Sequence, residues 1–242
     1  GSEMCIRDSA KDLSKIASSD KVKKVQKDFE ATHVRPQRLM KTLFTDEAYV
    51  KANVDEARLM RRLFDLACNM QSHDTDMQLY SLFTDEECYD LWSCNNLYWY
   101  LTHACSPVTD GLMPYREADL LRNILDRADA ALKEGKNQAT LRFGHESCLL
   151  PLVALLELNH YGESYPDVEK LSEQWRAYDI FPMASNVQFV FFHKKGSNDV
   201  LVKVLLNEKE TKLPVKTDVA PYYHWKDVES YYREKLDKYQ HI

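Results

Sequence analysis

One short stretch of the sequence, residues 140–152, carries side chains that could act together on a phosphorylated substrate. Its letters are TLRFGHESCLLPL, so that His145 and Glu146 follow Gly144 and precede an apolar run. A histidine can donate a hydrogen bond to a phosphoryl oxygen. A neighbouring carboxyl can protonate a leaving alkoxide, a step worth roughly 10²–10⁴ in rate. The pair is therefore a candidate site for phosphate chemistry.

Two elements must position this pair. Residues 138–143 are β-prone and end at a glycine, which predicts a strand, and residues 149–158 predict a helix in which Pro151 is tolerable only in the first turn. We expect His145 at the carboxyl end of that strand, where ligands collect in open α/β sheets, and Glu146 at the helix start. The free amides of the helix and its positive dipole end favour an anion there. We expect both side chains to face a cavity where the helical half meets the sheet.

The same residues allow plainer interpretations. His145 could be satisfied by backbone groups, with Glu146 acting only as a favourable charge in the first helical turn. Arg142, in the predicted strand, could contact phosphate or pair with a carboxylate, and the sequence leaves both open. Cys148 could form a thiol–imidazole pair with His145, although its place before an apolar run favours a buried thiol.

The rest of the chain reads as a helical half followed by a mixed half. We predict a helical domain over residues 10–135 and an α/β domain over residues 136–242. Residues 1–9 read as a non-native leader, because EMCIRDS resembles translated adapter sequence. Within the helical half, Thr84 and Glu87 have the spacing of a capping box, which predicts a helix start.

The mixed half contains the clearest strand signals. Residues 187–193 (VQFVFFH) and 200–206 (VLVKVLL) predict two strands, and the Gly- and Asn-containing loop between them predicts a hairpin. Residues 225–236 predict a closing helix. The fold class expected from these patterns is α/β and rich in helix.

Composition limits the partners. The net charge of −6 argues against a nucleic-acid footprint, which requires a basic face. No apolar run reaches the roughly 18 residues of a membrane span. None of the six cysteines is in a CxxC pair, so we expect neither a zinc site nor a disulfide framework. Residues 73–76 (HDTD) could be read as a metal cluster, although a solvated loop is the plainer interpretation.

Several longer stretches carry a family resemblance. The run LRFGHES followed by LLPLVALLEL closely resembles the second signature of the branched histidine acid phosphatases. Four further stretches resemble bacterial members of the inositol-polyphosphate phosphatase (phytase) branch: MQSHDTD, FTDEECYDLWSCNNLYWYL, MPYREADLLRNILDRAD and DVAPYYHWKDVESYYREKL. The resemblance implies a helical cap domain and the C-terminal part of a histidine-phosphatase α/β sandwich.

The resemblance also implies roles. His145 and Arg142 would bind the phosphate of an inositol polyphosphate, and Glu146 would be the general acid. It implies no metal or organic cofactor and a periplasmic or secreted location. The family places its acid in His-Asp or His-Ala-Glu, so His145-Glu146-Ser147 departs from both patterns.

The family's nucleophile motif, Arg-His-Gly-x-Arg-x-Pro, does not occur in this sequence. None of the eight histidines is followed by glycine, and the His33-Val-Arg-Pro36 run is only superficially similar to the motif. We therefore expect a fragment without the nucleophile and without turnover of its own. The alternative hypotheses are an inactive helical interaction module or remnant, and a thiol hydrolase that uses Cys148.

Overall fold

The computed structural model describes residues 9–135 and 138–239. Within these residues the chain is helix-rich and has one small sheet. The α-helices are α1 Ser9–Ala17, α2 Asp20–His33, α3 Gln37–Leu43, α4 Glu47–Asn53, α5 Glu56–Asn69, α6 Asp85–His103, α7 Ala118–Glu134, α8 Glu146–Leu155, α9 Leu171–Gln174, α10 Ala177–Ile180 and α11 Trp225–Tyr239. Short 3-10 helices cover Met70–Ser72, Tyr80–Leu82, Pro107–Thr109, Met113–Glu117 and Val168–Lys170. The strands are β1 Val187–His193, β2 Val200–Leu206, β3 Lys209–Glu210 and β4 Tyr223–His224.

The chain divides into two compact units. The smaller unit is Lys23–Tyr98, and the larger unit takes in the described residues up to Val22 and from Trp99 onward. The predicted boundary near residue 135 stays a prediction. No helix among the described residues combines the length and the apolar character needed to span a bilayer.

Ion pairs and caps organise the smaller unit. The predicted capping box is confirmed, because the Glu87 amide donates to Thr84 Oγ1 at 3.2 Å and the Thr84 amide donates to Glu87 Oε2 at 2.9 Å. The guanidinium of Arg38 on α3 donates to Glu87 Oε1 at 2.7 Å. That hydrogen bond is the main cause that lowers the pKa of Glu87. The start of α6 is therefore fixed both to its own cap and to α3.

The sheet belongs to the larger unit and is antiparallel throughout its described pairs. The predicted hairpin is confirmed: β1 pairs with β2 from Val187↔Leu206 to His193↔Val200, and β3 and β4 also pair with β2. The ring of Phe191 on β1 meets that of Trp225 on α11, with centroids 4.9 Å apart. The closing helix is therefore attached to the sheet at its first residue.

Helix α8 is almost wholly buried from Leu150 to its end. A helix that is apolar on all sides belongs in a protein interior, and this one is enclosed accordingly. It begins three residues earlier than predicted, so Pro151 lies in the second turn and the first-turn prediction is wrong. Proline there has no N–H to donate to the carbonyl of Ser147, so this helical hydrogen bond is missing. The early start places Glu146 at the first helical position and His145 at the N-cap.

The predicted strand over residues 138–143 is wrong. The segment has no strand structure, and Leu141 and Phe143 are 76% and 94% exposed. Its hydrogen bonds instead go to α7: Gln138 Nε2 donates to the Ala131 carbonyl at 3.3 Å, and Arg142 Nη2 donates to Asn123 Oδ1 at 2.8 Å. A strand exists only where a second strand pairs with it, and none of the described segments does so here.

Candidate active site

The start of α8 is an open helix N-terminus. His145 has extended backbone angles (φ −114°, ψ 166°), and its side chain makes no capping hydrogen bond. The amides of Cys148 and Leu149 donate to the His145 carbonyl at 3.0 and 3.1 Å. Among the described residues, nothing accepts a hydrogen bond from the amides of Glu146 and Ser147. These two donors, together with the positive end of the helix dipole, can therefore receive an anion.

The two central side chains are accessible. Both His145 and Glu146 are solvent-exposed in the described structure. The imidazole can donate to an oxyanion beside the free amides, and the carboxyl at the first helical position can exchange a proton with a bound ligand. The structure thus brings His145 and Glu146 together at one helix start, as the sequence predicted, although no strand leads into it.

Arg142 lies close to this helix start along the chain. Its partner is the neutral amide of Asn123 on α7, and among the described residues it is in no ion pair. Burial, followed by repulsion from Arg127, lowers the pKa of Arg142. Asn123 and Arg127 are site neighbours that the sequence reasoning missed.

A buried carboxyl lies behind the first turn of α8. Glu117, at the end of the 3-10 helix Met113–Glu117, is only 6% exposed, and burial raises its pKa to about 7. It interacts with the thiol of Cys148, the third residue of α8. Burial first, and then the charge of Glu117, raises the pKa of Cys148. A thiol with a raised pKa is a poor nucleophile near neutral pH, which argues against the thiol hydrolase hypothesis.

A polar hollow lies at the other end of α8. It has a volume of about 540 Å³ and is lined by residues that include Cys105, Glu157 and Lys235. The Lys235 ammonium holds Glu157 Oε1 at 3.2 Å and the Leu155 carbonyl at 2.7 Å. A cation at the last carbonyls of a helix is a stabilising cap, and this is the role that these contacts support.

The described residues contain no group of three or more histidine, cysteine or acidic side chains that could hold a metal ion. Residues 73–76 are exposed, and the His73 ring contacts the side-chain amide of Asn69 at 3.3 Å.

Comparison with known proteins shows the family to which the chain belongs. The family model of the histidine phosphatase superfamily (branch 2) matches residues 3–207, and the chain belongs to that superfamily. The predicted family resemblance is thereby confirmed.

Individual relatives are inositol-polyphosphate phosphatases. The chain is 28% identical over 134 residues to multiple inositol polyphosphate phosphatase 1 of Homo sapiens. The match covers 50% of this chain and 27% of that protein. The fold is similar to the crystal structure of Bifidobacterium longum multiple inositol polyphosphate phosphatase in complex with inositol hexasulfate, with a TM-score of 0.71 and 18% identity. The match covers 93% of this chain and 56% of that chain. The complex of that enzyme with phosphate gives a TM-score of 0.63 at 19% identity, with 93% and 55% covered. The fold class predicted from the sequence is confirmed by this likeness.

The chain spans about a quarter of the length of the curated relative and just over half of the solved structures.

Proposed function

We propose that this chain supplies the phosphate-binding and proton-donating part of a phosphomonoester hydrolase that acts on inositol polyphosphates such as phytate. The observation that carries the proposal is the pairing of His145 and Glu146 at an open helix N-terminus, in a chain of the histidine phosphatase superfamily. The names of its relatives support the substrate class.

In the proposed reaction each side chain has one task. The His145 imidazole and the free amides of α8 hold the oxygens of the phosphoryl group, and Arg142 adds a guanidinium contact to another part of the same inositol polyphosphate. A histidine of the family's Arg-His-Gly motif forms the P–N bond as the P–O bond to inositol breaks, and the Glu146 carboxyl gives its proton to the leaving alkoxide. Water then attacks phosphorus, the P–N bond breaks, and the Glu146 carboxylate takes the proton of that water.

The sequence has no Arg-His-Gly motif, so we propose that this chain by itself binds its ligand without turning it over. Calorimetric titration with inositol hexakisphosphate tests the binding, and a chromogenic phosphomonoester tests the turnover. The His145→Ala variant should bind the hexakisphosphate at least about tenfold more weakly, because a charge-assisted contact is lost.

A matched variant controls for surface charge and shape. The exposed His73, in the smaller unit, should be replaceable by alanine without a change in binding. Equal affinity of His145→Ala and wild-type protein would contradict the assignment of the site. Turnover that disappears in His145→Ala would contradict the proposal that the nucleophile is missing.

The absence of the motif also supports a second candidate, an inactive helical interaction module. The titration separates the two, because an interaction module has no reason to bind the hexakisphosphate at the start of α8. Wild-type protein that shows no binding at all would favour the module.

A further inference from the structure

The segment of residues 138–142, which precedes His145, runs along one face of α7. Gln138 contacts Ala131 and Arg142 contacts Asn123, and these helix positions are eight residues apart. Eight helical residues rise about 12 Å, and four residues of nearly straight chain span about 13 Å. Arg127 lies midway between Asn123 and Ala131 at i+4 spacing, so it is on the same face. Its side chain therefore projects beside the segment that carries Arg142.

In the part of the chain that the structure describes, no carboxylate neutralises the two guanidiniums. Among residues 9–135 and 138–239, neither Arg127 nor Arg142 is in an ion pair. Other arginines pair with three of the four acidic residues of α7: Asp119 pairs with Arg122, while Asp126 and Asp129 pair with Arg233. Repulsion between the two guanidiniums contributes to the lowered pKa of Arg142. Two like charges held together without a counter-ion attract an external anion.

We propose that Arg127 and Arg142 form an anion subsite that holds a second phosphate group of the same inositol polyphosphate. The inference rests on the proposed function for the location of the first phosphate at His145. Arg142 and His145 are three residues apart, so their Cα atoms are separated by at most about 11 Å. Guanidiniums bind phosphate through parallel hydrogen bonds, and Asn123 fixes the orientation of Arg142 for this contact.

The subsite predicts selectivity for ligands that carry several phosphates. Titration of the 242-residue chain with inositol hexakisphosphate and with inorganic phosphate measures it. Arg127→Gln should weaken binding of the hexakisphosphate at least about tenfold, with inorganic phosphate unchanged within about twofold. The affinity of Arg127→Lys for the hexakisphosphate should lie between those of the wild-type protein and Arg127→Gln. Lysine keeps the positive charge but lacks the guanidinium that forms two parallel hydrogen bonds. Arg58→Gln, which removes an exposed arginine from α5, is the matched control.

The outcomes separate this inference from the proposed function. The subsite stands, and the assignment of His145 fails, if Arg127→Gln weakens hexakisphosphate binding while His145→Ala does not. It is overturned if Arg127→Gln and Arg58→Gln bind the hexakisphosphate equally well. The subsite is also overturned if Arg127→Gln weakens the binding of inorganic phosphate as strongly as that of the hexakisphosphate, since Arg127 would then hold the reacting phosphate.

Discussion

Replacing Glu117 by glutamine should change how the stability of the protein depends on pH. Glu117 is 6% exposed, and burial raises its pKa from 4.5 to about 7 despite the opposing effects of Arg116 and Cys148. A carboxyl with a raised pKa stabilises the folded state while it is protonated. That contribution is fully present below about pH 4.5 and is lost as the pH rises through about 7.

The size of the effect follows from the two pKa values. One pH unit corresponds to 1.36 kcal/mol, so a rise from 4.5 to about 7 amounts to about 3 kcal/mol between acid and alkaline conditions. Glutamine has nearly the same shape, keeps an acceptor for the Cys148 thiol and does not ionise. Relative to the Glu117→Gln variant, wild-type protein should therefore lose about 3 kcal/mol of unfolding free energy between pH 4.5 and pH 8.

Urea unfolding of both proteins across this pH range measures the difference. Other titrating groups are common to the two proteins, so subtraction isolates Glu117. Glu134→Gln, an exposed change at the end of α7, reports what the same substitution does at the surface. A constant difference between wild-type and Glu117→Gln protein at every pH would show that Glu117 is not buried in its neutral form, and the reasoning would fail.

Two further predictions concern other contacts of the larger unit. Hydrogen bonds to carboxylates, first that of Asp199, raise the pKa of His224, so its stabilising contribution is fully present below pH 6.5 and is lost as the pH rises through its folded pKa. An NMR titration should find this pKa above 6.5 and lower in Asp199→Asn; a value at or below 6.5 would contradict the contact. Gly162→Ala should destabilise the protein by about 1–3 kcal/mol in urea unfolding, because its Cβ would lie 2.6 Å from Cγ of Glu157. Gly144→Ala meets its nearest atom only at 4.0 Å and should cost less; equal losses would contradict the steric argument.

Local signals were sufficient for part of the fold. The capping box of Thr84 and Glu87 and the β1–β2 hairpin depend on residues close together in the chain, so their spacing predicted them correctly. The helix of residues 149–158 was also predicted from its local apolar run, although α8 begins three residues earlier, at Glu146. These features need no knowledge of distant contacts.

The remaining parts of the site depend on distant contacts. The residues of segment 138–143 favour a strand, but pairing needs a partner that sequence spacing does not identify. The burial of Glu117 was equally beyond prediction, because charged residues are ordinarily exposed. Arg127 did leave a signal: its neighbours at i−4 and i+4 are Asn123 and Ala131, so no acidic side chain is placed to neutralise it on α7.

Helix α7 therefore has the positioning role that the sequence assigned to a strand. The residue before its first turn, Glu117, contacts Cys148 behind the start of α8. Asn123, the sixth residue of the helix, accepts a hydrogen bond from Arg142. One turn later, Arg127 faces the same segment. Both sides of the candidate site thus contact one rigid element, and substitutions in α7 should alter anion binding even though the His-Glu pair itself is untouched.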